Sequence, residues 1–257
     1  MNESSSLHFN LNRFIGVSLM NIVKLQFSDG RPNAVGLEEV NAILRSVGVR
    51  ASTVSIPDAA KPILEASKSR PVTEAEQEEL IKHFSLNRAE LLEQIELAGR
   101  VPETPRGGLL GTRQPGVAPY PKVYDMLAIP EDYRANVLET FGRFHVNMAE
   151  NGQGIDEVMT VVSGGPFTWM FVLPDGVVIR LTVGPASEET AIRLSYPGMG
   201  IHAGYMDPKQ GLIVAYAHGP EEFVVRYDEP TAPHAELLNT NPWVDFTGNM
   251  PSLFDKI

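Results

Sequence analysis

The sequence has no cysteine, which excludes disulfide bonds, thiolate metal sites and a cysteine nucleophile. It is also poor in positive charge, because 21 Lys and Arg residues stand against 32 Asp and Glu residues, for a net charge of −11. A chain this acidic, without a basic cluster, is not expected to bind nucleic acid or anionic lipid. Long apolar runs are missing too: the stretch from Phe14 to Val23 is about ten residues, against the ~20 that a membrane span needs.

Neither a cationic start nor a small-residue cleavage site of a secretory signal is present, so the cytoplasm is the expected location. The length of 257 residues fits one large domain or a smaller domain with an extension, and the 43% of apolar residues is enough for a sizeable core. Residues 1–19 are polar and are expected to form a disordered leader, with Met20 as an alternative start of the chain.

Residues 20–100 have the pattern of an α/β-helical extension. The apolar spacing in Leu37–Val47 predicts a helix that stops at Gly48. Thr73-x-x-Glu76 and Asn87-x-x-Glu90 are capping-box signals, and each predicts the start of a further helix. The Pro- and Gly-rich segment 101–121 is typical of a linker, with a lid over a site as the alternative interpretation.

The second half of the chain consists of short β-rich runs separated by Gly and Pro. Asp175-Gly176, between two apolar runs, is a strong hairpin signal. Strands of this length and spacing favour a sandwich or barrel, so the sequence predicts a mainly β domain over residues 122–230. The tail, residues 231–257, is expected to pack on it through Trp243 and Phe246. The predicted strands are Val158–Ser163, Phe167–Leu173, Val177–Val183, Ala191–Ser195, Leu212–Ala217 and Phe223–Tyr227.

The candidate functional residues lie in this β-rich half. In a strand, residues i and i+2 share a face, so His145 and Asn147 should point the same way. Glu157 and His202 follow them in later strands, and a jelly roll would direct all of these side chains inward. Two imidazoles and one carboxylate on one side of a divalent ion form a facial triad, which is typical of non-heme iron(II). His218, near the end of a strand, is a candidate catalytic base, with a role as a substitute metal ligand as the alternative.

These residues also carry a resemblance to a known family. His145-x-Asn147, Glu157-x6-Gly164 and Pro197-x4-His202 resemble the two cupin motifs, and within the cupins the sequence is most similar to the acireductone dioxygenases. The segments 37–50, 120–127 and 219–223 fall in the same order as segments of that family. The resemblance implies a cupin double-stranded β-helix (jelly roll) with an N-terminal extension.

The resemblance also implies a function and a ligand set. One divalent metal would be bound by His145, Asn147, Glu157 and His202. Fe(II) is the expected metal, and Ni(II) and Zn(II) are the alternatives. The expected activity is a dioxygenase that cleaves a small enediol-type substrate with oxygen. Two alternatives stay open. One is a metal-dependent cupin isomerase or lyase, and the other is a non-catalytic cupin that binds a small molecule or serves as an assembly protein. No nucleic acid or membrane partner is expected, and a homodimer is left open.

The sequence departs from the family pattern at several positions. The family has His-x-His where this chain has Asn147, and an amide oxygen is a weaker metal ligand than imidazole. Two arginines that contact substrate in the family correspond to Met159 and Ala215. An alternative register would put Asn151 and Gln153 at the histidine positions.

Overall fold

The computed structural model describes residues 23–101, 121–219 and 224–255. The expectations for the leader 1–19 and for Met20 lie outside the described residues, as do those for nearly all of the linker 101–121. The same holds for residues 220–223 of the segment 219–223.

The described elements are five α-helices, two 3-10 helices and fourteen short strands. The helices are α1 (Leu37–Leu44), α2 (Lys61–Ala66), α3 (Glu74–Phe84), α4 (Arg88–Leu97) and α5 (Glu131–Gly142), and the 3-10 helices are Arg45–Val47 and Ala235–Leu237. The strands are β1 (Val23–Phe27), β2 (Ala34–Val35), β3 (Arg50–Ser55), β4 (Lys122–Asp125), β5 (Val146–Met148), β6 (Asp156–Gly164), β7 (Phe167–Val172), β8 (Val178–Val183), β9 (Thr190–Tyr196), β10 (His202–Tyr205), β11 (Gly211–His218), β12 (Val224–Arg226), β13 (Val244–Asp245) and β14 (Ser252–Leu253).

Two five-stranded antiparallel sheets form a sandwich. Their strand orders are β10-β7-β8-β1-β2 and β3-β9-β6-β11-β4. Inward side chains of both sheets bury one continuous apolar core, with Trp169 and Leu181 from the first sheet and Met159 and Ile192 from the second. The prediction of a mainly β fold preceded by helices is therefore confirmed.

The N-terminal region is built into both sheets. Strand β1 pairs along its whole length with β8, with Leu25 opposite Leu181. Strand β3 pairs in the same way with β9, with Ala51 opposite Leu194. Residues 23–55 therefore extend one side of each sheet, where β8 and β9 would otherwise present unpaired backbone groups.

The local signals for helices and turns are matched by the structure. Helix α1 runs into the 3-10 helix and ends at Gly48, whose φ of 69° is the left-handed conformation that glycine adopts easily. Thr73 and Asn87 both form complete capping boxes. At the predicted hairpin, Leu173 N–H donates to Val177 O over 2.9 Å, which closes the β7–β8 turn.

The segment after residue 230 also packs on the sandwich. Trp243 is buried in a second apolar cluster with Met170 and Val178, and the Arg180 guanidinium lies 5.6 Å from the centre of its ring. No helix in 23–101, 121–219 or 224–255 is both apolar enough and long enough to span a bilayer.

Candidate functional site

His145 and His202 are direct neighbours across two antiparallel backbone segments. His145 N–H donates to His202 O over 3.0 Å, and His202 N–H donates to His145 O over 3.1 Å. Their rings lie edge to face with centroids 4.5 Å apart, and both residues are buried. Residues that are 57 positions apart in sequence are therefore brought together by β pairing alone, as a jelly roll requires.

The same local contact orients both imidazoles. His145 Nδ1 lies 2.7 Å from Arg143 O, and His202 Nδ1 lies 2.7 Å from Gly200 O. A carbonyl oxygen only accepts a hydrogen bond, so Nδ1 carries the proton in each neutral ring and Nε2 carries a lone pair. This arrangement of ring and carbonyl is the one that holds metal-binding histidines in place.

Glu157 and Asn147 complete the group. Asn147 Nδ2 donates to Glu157 Oε2 over 2.7 Å and lies 3.2 Å from His202 Nε2. Glu157 Oε2 is itself 3.3 Å from His202 Nε2. The structure therefore brings together all four residues that the sequence selected as metal ligands, His145, Asn147, Glu157 and His202.

These four side chains surround a cavity of about 20 Å³ inside the sandwich. That volume fits one water molecule or one ion, since a water needs about 10–15 Å³ on this scale. The aromatic side chains of Trp169 and Tyr196, which are typical of either core or pocket wall, line the same cavity. The remaining lining residues are Tyr124, Phe141, Met159, Gly204, Met206 and Val225.

Burial keeps the side chains of His145 and Tyr196 uncharged. Desolvation, with the neighbouring His202, lowers the pKa of His145 to about 3, so its ring is neutral at pH 7. Burial and the nearby Glu157 carboxylate raise the pKa of the Tyr196 hydroxyl well above its usual value. Both groups therefore remain uncharged over the physiological range.

The types of these side chains suit a divalent ion, whereas their positions are not those of a metal site. Among the described residues, no group of three or more His, Cys, Asp or Glu is placed so that it could hold a metal ion. The Asn147 amide nitrogen instead lies between Glu157 and His202 as a shared donor. Its Oδ1 atom is buried without a hydrogen-bond partner, and an orphaned acceptor of this kind is a recognised sign of an additional ligand.

A buried ion pair supports the loop 197–201, which precedes His202, and sequence reasoning missed it. Arg100 forms an ion pair with Asp156 and donates to Ser195 Oγ over 2.7 Å. Asp156 Oδ1 accepts from Gly198 N–H over 3.1 Å, and the carbonyl of Gly198 accepts from Asn147 N–H over 2.8 Å. Burial raises the pKa of Asp156 to about 6, against the opposing effect of Arg100.

The structure does not bring His218 to the cavity. His218 pairs with Asp156 in the β11–β6 register, whereas Ala217 pairs with Glu157, so His218 points to the opposite face of the sheet. It is fully buried, and neither ring nitrogen has a hydrogen-bond partner in the described part of the chain. The geometry therefore gives no support to its predicted catalytic role.

Replacing His218 with Leu should reduce the fall in the free energy of unfolding between pH 7 and pH 5. Burial, with Arg100 and Arg88 nearby, lowers the pKa of His218 from 6.5 to about 3. The unfolded chain therefore binds one more proton than the folded chain between these values, and stability falls as the pH falls. From pH 7 to pH 5 the loss from this group is about 2 kcal/mol. Urea unfolding of both proteins at the two pH values measures it, and an unchanged pH dependence would contradict the assignment.

The structure also shows where the residues of the alternative register and of the two substituted arginine positions lie. Asn151 and Gln153 lie in a turn away from the cavity, where Gln153 N–H donates to Asn151 Oδ1 over 3.0 Å. Met159 and Ala215 are paired directly across β6 and β11. Two neighbouring apolar side chains therefore stand where the resemblance would have placed two charged ones.

Comparison with known proteins supports the fold but does not identify a reaction. No family model matches the sequence, and no curated protein matches it. Two solved chains resemble the structure, one of them described as acireductone dioxygenase from Bacillus anthracis with cadmium ion in active center. It has a TM-score of 0.53 and 17% sequence identity, and the match covers 80% of this chain and 99% of that one. This similarity shows that the fold of the chain is cupin-like.

Proposed function

We propose that this protein is a metal-dependent cupin of the dioxygenase type, with His145, Asn147, Glu157 and His202 as the ligands of one divalent ion. The observation that carries the proposal is the pair of cross-strand imidazoles, each held through Nδ1 by a backbone carbonyl, beside a buried carboxylate. Two histidines and one carboxylate form the ligand set of non-heme iron(II) sites. The solved relative has a cadmium ion in its active centre.

A rotation of the Asn147 amide would convert the observed arrangement into one that binds a metal. With its amide nitrogen inward, Asn147 donates to Glu157 and faces the lone pair of His202. A half-turn of the amide about its last side-chain bond would exchange the nitrogen for Oδ1. Asn147, Glu157 and His202 would then turn three acceptors toward one another, an arrangement that is costly unless a cation lies among them.

The substrate class follows from the resemblance and from the chemistry that a metal ion would supply. A bound ion would act as a Lewis acid for an oxygen-rich small molecule such as an enediol and would supply the redox chemistry. Met159 and Met206 line the cavity, and methionine side chains change rotamer easily, so these two residues would make room for the substrate. With Met159 and Ala215 at the arginine positions, the substrate would need no carboxylate contact there.

Metal analysis of protein purified without a histidine tag tests the proposal. After supplementation with Fe(II), Ni(II) or Zn(II), we expect about one ion per chain in the parent protein. His202→Ala should lose most of it, because a buried carboxylate and a single imidazole form a poor site. His83→Ala, which removes a histidine from α3, is the matched control and should retain the metal. Parent protein free of all three metals at neutral pH would refute the proposal.

A non-catalytic cupin is the second candidate, and one observation favours it. The cavity of about 20 Å³ holds an ion or a water but no enediol as it stands. Oxygen-electrode traces of the metal-loaded protein with small enediols separate the alternatives. Oxygen uptake supports the dioxygenase. Substrate turnover without oxygen uptake points to an isomerase or lyase, and no turnover points to a binding protein.

A further inference from the structure

A second cavity, much larger than the first, lies on the other side of the loop 197–201. Its volume is about 510 Å³, within the range of about 300–1,000 Å³ typical of small-molecule sites. The walls are mainly apolar side chains from the 3-10 helix after α1, the end of β7 and this loop. Among them are Val47, Val49, Leu173, Met199 and Ile201.

Two arginines lie at this apolar cavity, held in place by two glycines. A Cβ on Gly48 would lie 2.8 Å from Arg100 Cγ, and a Cβ on Gly99 would lie 3.0 Å from Arg45 Cγ. Both glycines have positive φ, 69° and 82°, so other residues are disfavoured on two counts. The side chain of Arg100 therefore packs over Gly48, and the side chain of Arg45 packs over Gly99.

The two guanidinium groups differ in how their charge is balanced. Arg100 is paired with Asp156, and its buried Nε–H has no acceptor among the described residues. Arg45 is exposed and donates to the carbonyl of Leu97 over 3.2 Å, and it has no carboxylate partner in the described part of the chain. In a protein with a net charge of −11, an arginine that has no acidic partner and lies beside an apolar cavity would attract the negative group of a ligand there.

We infer that this cavity is a binding site for a small monocarboxylate with an apolar body. The body lies against the aliphatic walls, and the carboxylate is placed at Arg45. The inference goes beyond the proposed function and does not depend on it, since none of the four proposed metal ligands lines this cavity.

Three probes that share one chain separate charge recognition from simple apolar filling. Octanoate, octanol and octylammonium carry a negative, a neutral and a positive head on the same eight-carbon body. Calorimetric titration into metal-free protein should show saturable one-to-one binding of octanoate. Octanol should bind about two- to five-fold more weakly, which is the range that an exposed ion pair contributes. Octylammonium should bind most weakly.

Variants assign the binding to this cavity. In Arg45→Gln the preference for octanoate over octanol should disappear, whereas Arg45→Lys should retain part of it. Arg31→Gln, which removes an exposed arginine on the β1–β2 turn, is the matched control and should leave all three affinities unchanged. Val47→Phe narrows the cavity and should weaken all three probes, whereas Val35→Phe, at an exposed valine on β2, should weaken none.

Each outcome decides the inference. Octanoate that fails to bind, binds no better than octanol, or keeps its preference in Arg45→Gln overturns it, and so does tighter binding of octylammonium. A protein that binds octanoate as described but takes up no metal supports this site and refutes only the proposed function. A protein that takes up metal but does not bind octanoate supports the proposed function and refutes this site.

Discussion

Replacing Asn147 with His is expected to raise the affinity of the centre for Ni²⁺ and Zn²⁺ by on the order of 100-fold. Asn147 lies between Glu157 and His202, so an imidazole here would add a strong ligand in place of a neutral amide. Changes that merely reorient a ligand alter metal affinity by about 10- to 100-fold, and a change of the ligand itself should have at least that effect.

Competition against a coloured chelator at pH 7 measures this affinity. Asn151→His is the matched control, because it makes the same exchange in the surface turn that the alternative register would have selected. It should leave the affinity unchanged. An Asn147→His protein that folds and yet binds Ni²⁺ or Zn²⁺ no more tightly than the parent would place the ion elsewhere.

Replacing Gly198 with Ala is expected to destabilise the protein by more than about 3 kcal/mol, at the severe end of single substitutions. A Cβ at this position would overlap the backbone carbonyl oxygens of Ile155 and Asn147, and the Asn147 carbonyl is held by a hydrogen bond from Ile155 N–H. The clash would also separate the loop from Asp156, whose carboxylate accepts from Gly198 N–H. Buried Asp156 would lose one of the groups that stabilise its charge.

Equilibrium unfolding in urea measures this loss. Gly204→Ala is the control, since a Cβ on this buried glycine of β10 has its nearest neighbour, Trp169 Nε1, at 3.6 Å, an ordinary contact distance. It should cost far less. A Gly198→Ala protein with the stability of the parent would show that loop 197–201 is free to shift, and the support it gives to His202 would have to be reconsidered.

The elements that could be predicted from the sequence are those with strong local signals. Thr73 and Asn87 cap their helices through contacts three residues away, and Asp175-Gly176 closes a hairpin through neighbouring residues. Strand β1 was missed because its alternating pattern, with Val23 and Leu25 buried, is only five residues long and continues an apolar stretch. Its partner β8 is more than 150 residues away, and no local signal specifies such a pairing.

The residues of the candidate site could be selected from their type and order, whereas their geometry could not be predicted from the sequence. His145, Glu157 and His202 were selected together because a jelly roll brings such strands inward. The two carbonyls that orient the imidazoles belong to residues two positions before each histidine, so a regularity in spacing was present. The position of His218 away from the cavity could not be predicted, because the face on which it lies depends on the register of β11 against β6, which periodicity alone does not determine.

Residues 197–201 form the partition between the two cavities. Met199 and Ile201 face the larger one, and the carbonyl of Gly200 holds the ring of His202 in the smaller one. Molecules bound in the two cavities would therefore contact opposite sides of the same stretch of backbone. If a molecule in one chamber changes the affinity of the other by some factor, thermodynamic reciprocity requires the same factor in the opposite direction.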